Sequence, residues 1–97
     1  MKKNFTAENG IIVAVHTIYD FVELVDASEY GDDTGLRILW WNPKVCNGES
    51  QIDAEIFPMT VEGILRAEKE AKKLAKDIEH DIKKEEKFSK KENKLFD

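Results

Sequence analysis

After Gly63 the chain contains neither glycine nor proline, and its lysines keep one helical phase almost to the last residue. At about 100° per residue, all ten lysines from Lys69 to Lys94, together with Arg66, fall within an arc about 120° wide. Roughly opposite them, Ile64, Ala67, Ala71, Leu74, Ala75, Ile78 and Ile82 share an arc about 100° wide. Unrelated coil would have no reason to sort its residues this way. The pattern predicts one helix from about 61 to about 92, with Pro58 ending the segment before it and Thr60 as its N-cap. Gly63 is a poor residue near its start, costing about 1 kcal/mol against alanine.

Such a helix is about 48 Å long, whereas a compact domain of 97 residues has a radius of gyration of only about 13 Å. The helix should therefore overhang whatever it packs on. Its apolar arc ends at Ile82, where Glu85, Ser89 and Glu92 take over those positions. Residues 1–82 read as a single α+β domain and residues 83–97 as a charged helical extension or frayed tail, with Phe88, Leu95 and Phe96 as apolar handles.

Turn signals gather before residue 61, at Asn9-Gly10, Gly31 to Gly35, Asn42-Pro43 and Asn47-Gly48. Between them lie short segments with β character. Phe5 to Ala7 and Ile11 to His16 flank Asn9-Gly10, a pair suited to a tight hairpin turn. Leu36 to Trp41 is rich in β-formers. Gln51 to Phe57 alternates, which predicts Ile52, Ala54 and Ile56 on a dry face and Gln51, Asp53 and Glu55 on a wet one. Residues 17–27 fit either a capped helix or a strand, and their β-branched and aromatic content favours the strand. The expected architecture is a small antiparallel sheet of three to five strands packed against one long C-terminal helix that overhangs it.

The longest apolar run, Ile11 to Val15, is far shorter than the roughly 20 residues that span a bilayer. Lys2 and Lys3 are not followed by the apolar segment of a secretory signal. Cys46 is the single cysteine and has no partner for an internal disulfide. These features point to a cytoplasmic protein. Apolar residues make up 41% of the chain, enough for a core, but a domain this short buries only about 60 to 65% of its unfolded surface. A partner or second copy would add to its stability.

Chemistry-bearing patterns are sparse. No CxxC pair, Gly-rich phosphate loop, GxSxG or HExxH is present, and neither His16 nor His80 stands at metal-ligand spacing from Cys46. Asp32-Asp33-Thr34-Gly35 has the letters of an aspartic-protease triplet but occurs once, in a polar turn. No enzyme, metal or cofactor is expected.

Charge is uneven. Residues 1–60 hold four Lys/Arg against ten Asp/Glu, and residues 61–97 hold eleven against ten. Adjacent Trp40 and Trp41 would point to opposite faces of a strand, one into the core and one outward. The expected function is non-catalytic binding of another protein with a basic surface, regulating or inhibiting it through Trp41, Glu29, Asp32, Asp33, Asp53 and Glu55. A sharper form is mimicry, with the carboxylates standing in for phosphates in the groove of a nucleic-acid-handling enzyme. The alternative is nucleic-acid binding through Lys72, Lys76, Lys83, Lys87 and Lys90, against which the flanking acids and the net charge of -5 argue. A homodimer is a further expectation, with the distal helix as its natural contact.

Overall fold

A computed structural model describes residues 2–30, 34–44 and 46–96, with side chains described for all of these except residues 30, 46 and 85–96. Asp32 and Asp33, and the side chains of Cys46, Lys87 and Lys90, lie outside this set. The order of elements is β1 (Lys2–Thr6), β2 (Ile12–His16), β3 (Val22–Asp26), β4 (Leu36–Trp40), β5 (Gln51–Ile52) and α1 (Val61–Phe96). The fold is α+β, as the patterning implies. Its strands form two small antiparallel sheets rather than one, β1-β2 and β3-β4-β5, and the helix packs against both.

The first hairpin pairs Phe5 with Val13 and Lys3 with Val15. Its loop has three residues, not two. Ala7 donates to the Ile11 carbonyl at 2.8 Å, Gly10 donates to the Ala7 carbonyl at 2.9 Å, and Gly10 alone in the loop takes a positive φ, of 83°. This is a turn closed by a left-handed glycine, a common three-residue hairpin geometry. At the free edge of β2 the His16 N–H donates to Glu68 Oε2 at 3.1 Å, tying the hairpin to the helix.

Residues 17–27 divide. Val22–Asp26 form the strand, and residues 17–21 approach it through a tight turn in which Tyr19 bridges Val22. Val22 and Leu24 of β3 and Leu36 and Ile38 of β4 lie on the helix side, while Glu23, Arg37 and Leu39 lie on the other. Ile64, Ala67, Ala71, Ala75 and Ile78 complete the core, with Leu74 and Ile82 half-buried at its margin. This is the apolar arc read from the sequence, and Ile82 is its last member.

The segment 51–57 departs from expectation. Gln51 and Ile52 pair with Trp40 and Leu39, and the Asp53 N–H donates to the Ile38 carbonyl at 2.9 Å. Then Asp53 Oδ1 accepts the Glu55 N–H at 3.1 Å, the chain bulges out, and Phe57 re-pairs with Leu36. Ile56 is 41% exposed and Phe57 fully buried. In unbroken register Glu55 would stand opposite Leu36 on the core side, so the bulge replaces a carboxylate with an aromatic ring. The expected dry face, Ile52, Ala54 and Ile56, is thus not the core face.

Thr60 caps the helix as expected, its Oγ1 accepting the Gly63 N–H at 3.0 Å. Gly63 has a reason to be glycine, since a Cβ there would lie 2.1 Å from the Pro58 carbonyl oxygen. The molecule measures 62 × 24 × 18 Å, its helix running on beyond Ile82 to Phe96.

Candidate functional site

The turn before β3 has an unusual backbone. Phe21 adopts φ 68°, a conformation that bulky side chains rarely take. Two contacts with the end of β4 accompany it. The Trp41 N–H donates to the Phe21 carbonyl at 3.0 Å, and the two rings meet edge to face with centroids 6.4 Å apart. Of the two tryptophans, neither is fully buried. Both are half-buried, Trp40 at the margin of the core and Trp41 against Phe21. The expectation of one buried tryptophan is corrected, because Trp40, the last residue of β4, lies at the edge of the core rather than inside it.

Beside this turn runs an open groove of about 600 Å³, walled by Ile18, Tyr19 and Asp20 on one side and by Lys72, Ala75, Lys76 and Glu79 of α1 on the other. A second hollow of about 360 Å³ shares Asp20 and Glu79 with it and adds Phe21, Ile82 and Lys83. Ile18 is 66% exposed, the most exposed large apolar side chain among the described residues. The Tyr19 hydroxyl oxygen is covered and makes no hydrogen bond among the described residues. Burial, with the Glu68 carboxylate as a smaller contribution, pushes its pKa up to about 12. Glu68 also pairs with Lys72 at 3.3 Å, and the Lys72 ammonium lies 6.0 Å from the Tyr19 ring centre.

On the other flank of α1 lies a smaller cleft, of about 230 Å³, between the helix and the bulged strand. Asp53 and Glu55 border it with Glu70, Lys73 and Asp77, over Ile38 and Leu74. The sequence pattern placed Asp53 and Glu55 on a solvent face. Asp53 lies on the helix side because β4 presents its even-numbered residues to the core and opposed residues share a face, while Glu55, out of register at the bulge, borders the same cleft. Glu55 pairs with Arg66 at 3.0 Å.

The residues singled out from the sequence therefore do not form one surface. Trp41 pairs with Phe21 at one end of the β3–β4 hairpin, Glu29 lies in the 3-10 turn Ala27–Tyr30 at its other end, and Asp53 and Glu55 border the cleft. Lys72 and Lys76 wall the groove and Lys83 the hollow beside it. Ile18, Tyr19 and Phe21 were not recognisable in advance. Their apolar spacing also fits a helical stripe, and nothing in the residue type Phe announces a positive φ.

Among the described residues, no three His, Cys, Asp or Glu side chains are grouped as metal ligands, and no helix is long and apolar enough to cross a membrane. No family model, curated protein or solved structure matches the chain.

Proposed function

We propose that this protein is a small, non-catalytic binding module that regulates or inhibits another protein. The observation that carries the reading is the groove between residues 18–20 and α1, which leaves Ile18 66% exposed and adjoins the hollow lined by Phe21, whose ring meets Trp41. Large apolar and aromatic side chains flanked by charge are what interface centres are made of, because they release much water while losing few rotamers. A partner would place an apolar side chain between Ile18 and Ala75 and reach Phe21, which Trp41 backs, in the adjoining hollow. The net charge of -5 favours approach of a basic surface.

Nucleic-acid mimicry is the narrower form of this proposal. It draws on Asp53 and Glu55 together with Asp32 and Asp33, which lie outside the described residues, and the pairing of Glu55 with Arg66 counts against it by neutralising one of these carboxylates.

The test is affinity capture from lysate with the wild-type chain and with Ile18→Asp and Trp41→Ala, each with and without nuclease. The reading expects a protein retained at near-equal amounts by the wild type, resistant to nuclease, and lost with both variants. Equal capture by all three would refute the groove as the site. Retention that vanishes on digestion would make Lys72, Lys76 and Lys83 the binding residues instead.

A further inference from the structure

We propose that the outer edge of β2 pairs antiparallel with β2 of a second copy, centred on Val13. In the first hairpin the Ala7 N–H donates to the Ile11 carbonyl, and main-chain bonding alternates along an antiparallel pair. Phe5 with Val13 and Lys3 with Val15 are therefore the bonded pairs, and Ile12, Ala14 and His16 turn their N–H and C=O groups off the outer edge. The His16 N–H donates there to Glu68 Oε2 at 3.1 Å, which closes the edge at that end. Ile12 and Ala14 have no main-chain partner on this side among the described residues.

Open strand edges recruit other strands, and folds guard them with lysines, with brevity or with a covering segment. β1 carries Lys2 and Lys3, and Lys3 also donates to the Leu24 carbonyl on the edge of β3 at 3.5 Å. β5 has only two residues. β2 has no such guard at Ile12 and Ala14. Its sequence, IVAVH, contains no lysine, acid or proline, and Ile12 is 64% exposed. The Glu8 N–H donates to the Met59 carbonyl at 2.8 Å, so β2 runs beside the first turns of α1. At about 100° per residue Leu65, 49% exposed, shares an arc about 80° wide with Glu68, Lys72 and Lys76, the flank of the helix at this edge. An open backbone window thus stands between two exposed apolar side chains.

A second copy fills that window by its own symmetry. With Val13 on the two-fold axis, Ile12 of each copy opposes Ala14 of the other, and the four N–H and four C=O groups left free make four hydrogen bonds. Opposed residues share a face, so each isoleucine lies against an alanine, large against small, on the outer side. No charge of either sign lies in the paired segment. An axis at Ile12 would draw in Gly10, whose N–H already bonds the Ala7 carbonyl, and an axis at Ala14 would need the His16 N–H that Glu68 holds. Two narrow sheets become one of four strands. Neither Ile12 nor Ala14 lines the groove at Ile18, so this pairing stands or falls independently of the proposed function.

Sedimentation equilibrium and amide hydrogen exchange on the full chain test it. The wild type is expected to pass from monomer to dimer as concentration rises. In step, the Ile12 and Ala14 amides should exchange about tenfold more slowly once about nine in ten chains are paired, while the Asn4 amide on the opposite edge stays fast. Ala14→Pro removes one outward N–H and leaves every β1–β2 bond in place, and Ile12→Lys supplies the missing guard. Each is expected to be a monomer that still unfolds cooperatively in urea. Asn4→Pro, the matched change on β1, should dimerise as the wild type does. A wild type that stays monomeric up to its solubility limit overturns the proposal and leaves the edge to a strand of another protein. So does a dimer whose Ile12 and Ala14 amides stay fast, a dimer that survives Ala14→Pro, or an equal loss of pairing in Asn4→Pro.

Discussion

Trp41 holds Phe21 at two points, donating its N–H to the Phe21 carbonyl at 3.0 Å while the rings meet at 78°. This clamp accompanies the left-handed backbone of Phe21, φ 68°. An edge-to-face aromatic pair contributes about 0.5 to 1.5 kcal/mol beyond its buried area. Trp41→Ala is therefore expected to lower the unfolding free energy in urea by about 2 kcal/mol, short of the full loss for a buried tryptophan because the ring is half-exposed. Phe21→Gly and Phe21→Ala both remove the ring, but alanine must still occupy the left-handed region. The glycine variant should be the more stable by about 1 kcal/mol. Equal stabilities would show that the positive φ is not retained.

Gly63 inverts the usual rule for helices. Replacing an interior glycine with alanine normally stabilises by about 1 kcal/mol. Here the added Cβ would meet the Pro58 carbonyl oxygen at 2.1 Å, backbone that cannot move without disturbing the Thr60 cap. Gly63→Ala is expected to lower the midpoint of thermal unfolding, with a loss of about 2 kcal/mol or more, in the range of overpacking. A raised midpoint would mean that the 58–60 corner yields easily.

The contrast between the helix and the bulged strand shows what was legible from sequence. Along α1 a period near 3.6 is sampled over many residues, so Ile64 to Ile82 could be assigned to the core from spacing alone. In residues 51–57 the same kind of argument had one short alternation to work with. That alternation carried no information about which face of β4 it would meet. Leu36 and Ile38 point to the helix, so the opposing odd-numbered residues are Asp53 and Glu55, and the conflict is resolved by an Asx turn and a bulge that bring in Phe57. The groove was less legible still. It depends on how residues 18–21 turn and on where α1 crosses them, both properties of tertiary packing. Trp41 was identifiable by type, but its partner Phe21 was not.

Tyr19 makes stability fall at high pH. Its pKa is raised to about 12 from the ordinary 10.0. Between these values the folded chain keeps the phenolic proton that the unfolded chain has lost. The contribution is present below the unfolded value and is lost as pH rises through the window from about 10 to about 12. Tyr19→Phe should flatten the decline in that window relative to wild type, and should be neutral or mildly stabilising at pH 7, because it removes a covered hydroxyl rather than a hydrogen bond. Glu68→Gln keeps an acceptor for the His16 N–H while removing the charge. Following phenolate absorbance, the late titration phase should vanish in Tyr19→Phe and move to lower pH in Glu68→Gln. An unmoved phase in the second variant would leave burial as its whole cause.

The end of the core at Ile82 sets a last expectation, for a chain ending after Lys84. Ile82 is the last side chain packed at the core margin, and Lys83 and Lys84 are exposed. Removing residues 85–97 takes away no described buried contact. It also leaves two lysines in the final turn, where cations favour the helix terminus by about 0.3 to 1 kcal/mol. At low protein concentration the shortened and full chains should therefore unfold in urea within about 1 kcal/mol of each other. A shortened chain that is several kcal/mol weaker even when dilute would place part of the stabilising contacts beyond residue 84 and move the boundary of the domain with them.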